Sequence, residues 1–274
     1  MKLLLVDIGA THFRIGVGNE KTMRHILTID TPNDWRLGVQ QIIVQAKQHA
    51  VSAVIVGLPG TLDEEQKTLL RAPYLTSWVH APIAKELHAA LHIPIVLEND
   101  ALLNAMGEAV YGAGKKDQIV GFLTISSGVN GARIIAGQPD PGAFPFELGL
   151  LPVHGVTIES LISGRGLHRV HHVEPEELSE SAWRAVERSL SIAVTELLLI
   201  WRPDIFVLAG PMIREKKIQS KRVLELVTQR WQHPADVPPI VPATLDDVSG
   251  LWGALALAHL HSEAIFGRVE QRPS

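Results

Sequence analysis

Among the residues suited to chemistry, Asp7 opens the run Asp7-Ile8-Gly9-Ala10-Thr11-His12-Phe13-Arg14-Ile15-Gly16, directly behind the apolar stretch 2–6. A strand that delivers a carboxylate and then small residues at a sharp turn brings backbone N–H groups close to an anion. It also leaves the carboxylate nearby to hold a hydrated Mg²⁺. An ordinary glycine-containing hairpin with an acidic edge fits the same segment equally well. Asp100 stands in Leu97-Glu98-Asn99-Asp100, between the apolar residues 93–96 and a helical pattern reaching Glu108. Phosphoryl transfer to an alcohol needs a carboxylate within hydrogen-bonding reach of the hydroxyl. The junction of a strand end with a helix start is also where α/β sheets bind ligands. The plainer reading makes Asp100 a helix N-cap and Asn99 a turn residue. Glu147 and Glu159 form a further pair. Carboxylates that accept paired O–H bonds select a hexose ring, because a missing hydroxyl leaves a buried charge unpaired. As ordinary residues they are a solvated loop glutamate and an acidic group favourable to a helix N-terminus.

The elements that must position these side chains follow from periodicity. Strand-like runs at 2–8, 13–18, 25–29, 53–57 and 93–97 alternate with helical patterns near 35–49, 81–91 and 100–110, which is an α/β half. Tyr111-Gly112-Ala113-Gly114-Lys115-Lys116-Asp117 reads as a break. Two strands follow, at 118–125 and 131–135, then the turn-rich Gly137-Gln138-Pro139-Asp140-Pro141 and a mostly helical remainder with a long amphipathic stretch at 181–201. The 274 residues suffice for one or two domains with a large core, and 46% hydrophobic with 20% charged residues is a soluble globular composition. A formal net charge of −4 gives no electrostatic case for nucleic acid or an anionic membrane surface. No apolar run approaches transmembrane length, and residues 1–6 are too short for a signal peptide. The absence of cysteine excludes disulfides and thiolate metal sites and fits a cytoplasmic chain.

Further segments come in a telling order: Phe122-Leu123-Thr124-Ile125-Ser126-Ser127-Gly128-Val129-Asn130-Gly131, again strand, turn, strand; and Asp204-Ile205-Phe206-Val207-Leu208-Ala209-Gly210-Pro211, a strand ending in a small-residue turn. With these the chain resembles the ROK family of sugar kinases and sugar-responsive repressors, within the actin- and hexokinase-like ATPase superfamily. The resemblance extends through Gly57-Leu58-Pro59-Gly60-Thr61-Leu62-Asp63 and through Pro73-Tyr74-Leu75 with Trp78, which looks like a sugar-side loop. It continues in Phe146-Glu147-Leu148-Gly149-Leu150-Leu151-Pro152-Val153, in Glu159-Ser160-Leu161-Ile162-Ser163-Gly164-Arg165-Gly166, and in Asp246-Asp247-Val248-Ser249-Gly250-Leu251-Trp252-Gly253-Ala254. No G-x-x-x-x-G-K-[ST] string occurs, so phosphate binding of the Walker type is excluded.

The resemblance implies a two-lobed actin-like ATPase (ribonuclease H-like) α/β fold with an interlobe cleft. It divides the chain into an N-terminal lobe, 1–112, joined by a C-terminal helix, 256–274, and a larger lobe, 113–255. It implies ATP- and Mg²⁺-dependent phosphorylation of a hexose or hexose derivative at its 6-hydroxyl, with Asp100 as general base. Asn99, Glu147, Glu159 and Gly60 would bind the sugar. Gly9, Thr11, His12, Ser127 and Gly128 would cradle the phosphates, Gly210 would lie near the nucleoside, and Asp7 would hold Mg²⁺ through water. A cytoplasmic homodimer acting on a small sugar, with no nucleic-acid or membrane partner, completes the expectation.

The departures are informative too. The family's usual histidine is Leu150 here, and its Cys-rich zinc loop is replaced by His154-Gly155-Val156-Thr157, so no zinc site of the family type is expected and packing must hold the loop. Ser126, Asn130, Ala132 and Arg133 replace smaller residues in the second phosphate turn, Ala209 and Pro211 stand where glycine is usual, and Tyr74 replaces the usual asparagine. His168, His171 and His172 have helical ligand spacing, but Glu174-Pro175-Glu176-Glu177 follows at once, so a solvated helix end is expected there. A non-catalytic sugar sensor on the same fold is the rival reading, and an ATPase or scaffold of the wider superfamily a weaker third.

Overall fold

The computed structural model describes residues 2–19, 22–63, 65, 68–141 and 146–260. The chain divides into two units, one of residues 1–107 with 247–274 and the other of residues 108–246. The first passage between units falls inside a helix, and the second falls just before one.

In the first unit β1 (Leu3–Ile8), β2 (His12–Gly18) and β3 (Met23–Asp30) form an antiparallel meander. Helix α1 (Trp35–His49) leads to β4 (Ala53–Leu58), a short ribbon β5 (Thr61–Leu62) and β6 (Leu69–Arg71), helix α2 (Ile83–Leu91), β7 (Ile95–Asn99) and helix α3 (Asp100–Val110). The main sheet has the order β3-β2-β1-β4-β7, with β4 parallel to both β1 and β7. Every residue of β1 and β4 is buried, as expected of central strands covered on both faces. Leu4, Val6 and Ile8 join Phe13, Ile42, Val54, Val56 and Leu87 in one core. Trp78 belongs to that core as well. It is fully buried, its indole N–H donates to the Pro32 carbonyl at 3.0 Å, and Gly38 of α1 leaves room for its ring. Within the segment expected to be a sugar-side loop, Trp78 is thus a core residue.

The second unit repeats the strand order. Strands β8 (Ile119–Ile125), β9 (Val129–Ile135) and β10 (Gln138–Pro139) are antiparallel. A two-residue-per-strand ribbon follows, β11 (Pro152–Val153) and β12 (Val156–Thr157). Helices α4 (Ile158–Ile162), α5 (Gly164–His171) and α6 (Glu180–Trp201) precede β13 (Ile205–Ala209), α7 (Pro211–Arg214), α8 (Ser220–Arg230) and β14 (Ile240–Pro242). The sheet order is β10-β9-β8-β13-β14, with β13 parallel to β8 and β14. Strand β14 was not legible in the sequence because prolines crowd it. It is an edge strand, where a proline costs no ladder bond, and Pro239 still accepts the Phe206 N–H at 2.8 Å.

The chain then returns through a 3₁₀ turn (Asp246–Val248) to helix α9 (Ser249–Leu260), which packs on β1 and β4 of the first unit. The expected C-terminal helix thus starts earlier than 256, and its part beyond 260 lies outside the described residues. The replacement for the zinc loop is a tight hairpin with His154 (φ 51°) and Gly155 (φ 80°) at its tip, the left-handed pair that a type I′ turn requires. Main-chain pairing therefore holds it, with packing of Val153 as a second contribution.

Candidate active site

Because β1, β4 and β7 run parallel, their carboxyl ends open on one edge of the first sheet. Asp7, Gly60, Asn99 and Asp100 lie at these ends, with Gly9, Thr11 and His12 in the turn that follows Ile8. Asp7 is in register with Gly57, and Gly57 with Glu98. Along β1 the side chains alternate, so Asp7 faces away from the Val6–Ile8 core and toward α9. There Gly250 is required, since a Cβ on it would sit 2.6 Å from the Asp7 carboxyl carbon.

Asp7 is 6% exposed. Burial lifts its pKa to about 6; the Arg14 guanidinium opposes that rise and Asp247 adds to it. Arg14, the antiparallel partner of Asp7 in β2, reaches Asp247 with Nη2 3.3 Å from Oδ1. Neither Arg14 nor Asp247 was assigned a role from the sequence. The hairpin register would have pointed to Arg14, but Asp247 is distant in the chain and carries no local signal.

The two readings of Asn99 and Asp100 resolve in an unexpected sense. Asn99 is the capping residue: its Oδ1 accepts the Leu102 N–H at 3.0 Å, while its Nδ2 donates to the Gly60 carbonyl at 2.8 Å. Asp100 is thereby released from the cap, and its Oδ1 accepts the N–H of the neighbouring Ala101 at 2.8 Å. The residue as a whole is partly covered, but its carboxyl is withdrawn from water, and burial raises its pKa to about 7, with the nearby Asp7 adding to the rise. A carboxyl held near neutrality exchanges a proton readily. Asn104 supports it from one turn on, donating to the Asp100 carbonyl at 2.7 Å, and Asn104 in turn accepts the Ser249 hydroxyl of α9.

Gly60 adopts φ 111°, and a Cβ there would lie 2.0 Å from the Arg71 carbonyl oxygen. The turn at 9–12 is closed by the Gly9 N–H to the His12 carbonyl at 2.8 Å. Thr31, which the sequence did not single out, ties this turn down: its hydroxyl donates to Gly9 at 2.8 Å and its N–H to Thr11 at 2.9 Å. His12 Nδ1 lies 3.9 Å from the exposed Asp30 carboxylate.

In the second unit the turn between β8 and β9 carries Ser127 and Gly128, closed by the Ser126 N–H to Gly128 at 2.8 Å. The Gly164 N–H donates to the Ser126 carbonyl at 2.8 Å and anchors it to α5. Glu159 sits in the first turn of α4, where Thr157 caps, and its Oε2 accepts the Val129 N–H at 3.0 Å. Gly149 lets it approach, since a Cβ there would stand 3.0 Å from that same oxygen. Glu147 precedes the 3₁₀ turn Leu148–Leu150, in which Leu150 is 54% exposed. Gly210 follows β13 with φ 103°. His168 pairs with Glu174 at 3.2 Å and His172 ends α5 in a left-handed conformation; among the described residues no group of three or more His, Asp or Glu could hold a metal.

A family model described as the ROK family matches residues 3–261. A putative fructokinase of Bacillus subtilis is 24% identical over 296 residues, covering 96% of this chain and 98% of its own length. The ROK hexokinase of Thermus thermophilus superposes with a TM-score of 0.82 at 25% identity, over 96% of this chain and all of that one. A ROK family glucokinase of Streptomyces griseus, solved with glucose and AMPPNP, gives a TM-score of 0.76 at 23% identity over 95% of this chain and all of its own. These solved structures share the actin-like two-unit architecture described above.

Proposed function

The chain belongs to the ROK family, and on that premise we propose that it is an ATP-dependent sugar kinase acting on the 6-hydroxyl of a hexose or hexose derivative. The observation that carries the reading is Asp100, a carboxyl excused from capping by Asn99 and poised near neutrality by burial beside Asp7. In the reaction the Asp100 carboxylate takes the proton of the sugar hydroxyl. The hydroxyl oxygen forms a bond to the γ-phosphorus, the bond to the β,γ-bridging oxygen breaks, and ADP leaves.

Asn99, Glu147, Glu159 and Gly60 hold the sugar in this scheme. Asn99 retains one amide hydrogen and one lone pair after its two structural bonds, enough for one contact of each kind. The turns at Gly9, Thr11 and His12 and at Ser127 and Gly128 present main-chain N–H and hydroxyl groups to the phosphates, with Gly210 near the nucleoside. A hydrated Mg²⁺ suits the donor set, because Asp7 is a hard oxygen ligand whose burial is costly without a cation. Among the described residues no multi-carboxylate cage exists, which suits a metal held mostly by water and phosphate. Such an ion supplies charge neutralisation at the phosphates. We take the protein to be a cytoplasmic homodimer.

The test is ADP release with Mg-ATP across hexoses, N-acylhexosamines and fructose, with Asp100→Asn as control. Sugar-dependent release that the substitution abolishes is the expected result. Sugar binding without release in the native protein would mean a sensor.

A further inference from the structure

Glu108 is fully buried, and its carboxylate lies in a ring of donors drawn from distant parts of the chain. Oε2 accepts the Ala113 N–H at 2.9 Å, and both oxygens lie 3.1 Å from the Thr244 nitrogen. Oε1 accepts the Leu245 N–H at 2.8 Å, and the Thr244 hydroxyl adds a bond to Oε2 at 3.3 Å. The backbone carbonyl of Glu108 accepts the Gly112 and Gly114 N–H groups, so the loop that ends α3 is wrapped around this residue. Gly112 is required for the wrapping, since a Cβ there would be 2.1 Å from Oε2. Main-chain N–H groups gathered on an anion of this kind neutralise it and fix the segments that supply them.

What is fixed matters for the site. Glu108 is the first residue after the chain leaves the first unit, and Thr244 and Leu245 come just before it returns. The residues that follow are pinned in quick succession. Asp246 turns the chain at φ 47°, Asp247 meets Arg14, Ser249 bonds to Asn104 beneath Asp100, and Gly250 rests on the Asp7 carboxyl. Asp100 and Glu108 are also residues of the same helix.

We propose that Glu108 is a positioning residue for phosphoryl transfer: by holding Thr244 and Leu245 it sets where α9 begins, and so the wall against which Asp7 and Asp100 are placed. This rests on the reading of the site as a kinase centre. Glu108 touches neither sugar nor nucleotide in this scheme and acts only through α9 and α3. Because both carboxylate oxygens accept N–H groups, an amide cannot replace it; a glutamine would turn an NH₂ toward a donor.

Two variants test it, Glu108→Gln, which removes the charge, and Gly112→Ala, which keeps the charge and pushes the carboxylate aside. Gly112 does not have a positive φ, so its backbone accepts alanine, and this variant stands in if Glu108→Gln does not fold. Amide hydrogen exchange by mass spectrometry and steady-state kinetics are read on each. The expected result is exchange at least tenfold faster at 244–250, with β1 and β8 unchanged. In parallel kcat falls about tenfold while the sugar KM stays within about twofold, as a small misplacement of reacting groups would give. Unchanged exchange at 244–250 overturns the proposal, as does faster exchange spread evenly over residues 108–246, or an unchanged kcat in a variant whose segment has loosened. If the native protein turns over no sugar, the kinase reading fails, and exchange alone then decides whether Glu108 holds the start of α9.

Discussion

The first sheet runs β3-β2-β1-β4-β7 and the second β10-β9-β8-β13-β14, each an antiparallel half joined to a parallel half. In both, the second parallel strand runs into a left-handed glycine, Gly60 at φ 111° and Gly210 at φ 103°. A Cβ would come within 2.0 Å of a carbonyl oxygen in either place, that of Arg71 or that of Ile125. The treatment of buried carboxylates separates the two. In the second unit the buried Glu108 and Glu187 and the half-buried Glu159 accept main-chain N–H groups, from Leu245, Gln219 and Val129 respectively. In the first, Asp7 and Asp100 lie close together under desolvation and take up protons near pH 6 and 7. Acids answered by backbone donors, Glu98 of the first unit among them, are architecture; at Asp7 and Asp100 desolvation outweighs the donors, and these two are poised for proton exchange.

The largest effect that would break this contrast is on turnover. Asp100→Asn is expected to lower kcat about 10³-fold, within the range for a lost general base. In the native enzyme the rate should fall as pH drops below about 7, where Asp100 takes up its proton. A rate constant over pH 5–8, or an asparagine variant with a tenth of native kcat, would remove Asp100 from the base role and the contrast with it.

The shared glycines come next. Gly60→Ala and Gly210→Ala each combine a left-handed backbone with collision against main chain, and each should cost about 3 kcal/mol or more in urea unfolding. Gly155→Ala is the calibrating variant: its φ is 80° but nothing lies within 4 Å, so about 1 kcal/mol is expected. Equal losses at all three sites would mean that conformation alone, and not close approach, fixes these turns.

The same carboxylates predict opposite stability effects in the two units. Asp7 and Asp100 have folded-state pKa values raised above the 3.8 of the unfolded chain, so the folded protein binds more protons between about pH 4 and 7. Their contribution is therefore most favourable below pH 4 and declines as pH rises through 6 and 7. Asp100→Asn should stabilise the fold at pH 8, by about 1–3 kcal/mol, and leave it unchanged near pH 4. Glu187→Leu should instead destabilise it, by about 1–2 kcal/mol, through loss of the acceptor for the Gln219 N–H. Thermal unfolding of both variants at pH 4 and 8 checks the signs.

Much of this arrangement could be read from the sequence where local pattern decides it. Helices Trp35–His49 and Asp100–Val110 and the strands that end at Ile8 and Ile125 follow from periodicity, since their apolar faces are continuous and their ends are marked by Asp, Asn or Gly. The exchange of roles between Asn99 and Asp100 was not legible, because either residue can cap and only the Gly60 carbonyl, 39 positions away, selects asparagine. Trp78 went to the core for a similar reason, its pocket being made by Gly38 and Pro32. Arg14 with Asp247, Thr31 with Gly9 and Glu108 with Leu245 are all non-local, and no spacing rule announces them.

The smallest expected effect concerns how each unit anchors the glycine-containing turn between its first two strands. In the second the anchor is main chain, the Gly164 N–H on the Ser126 carbonyl, which no side-chain substitution removes. In the first the anchor is divided between the Thr31 N–H and the Thr31 hydroxyl. Thr31→Val keeps the shape and the main-chain bond and deletes one hydrogen bond, worth about 1 kcal/mol. If that bond sets the turn for a nucleotide, the KM for ATP should rise about three- to fivefold with kcat and the sugar KM nearly unchanged. An ATP KM equal to the native value, in a protein with a lowered Tm, would show that main chain alone holds the first turn too. The two units would then differ in their carboxylates and not in how they anchor their turns.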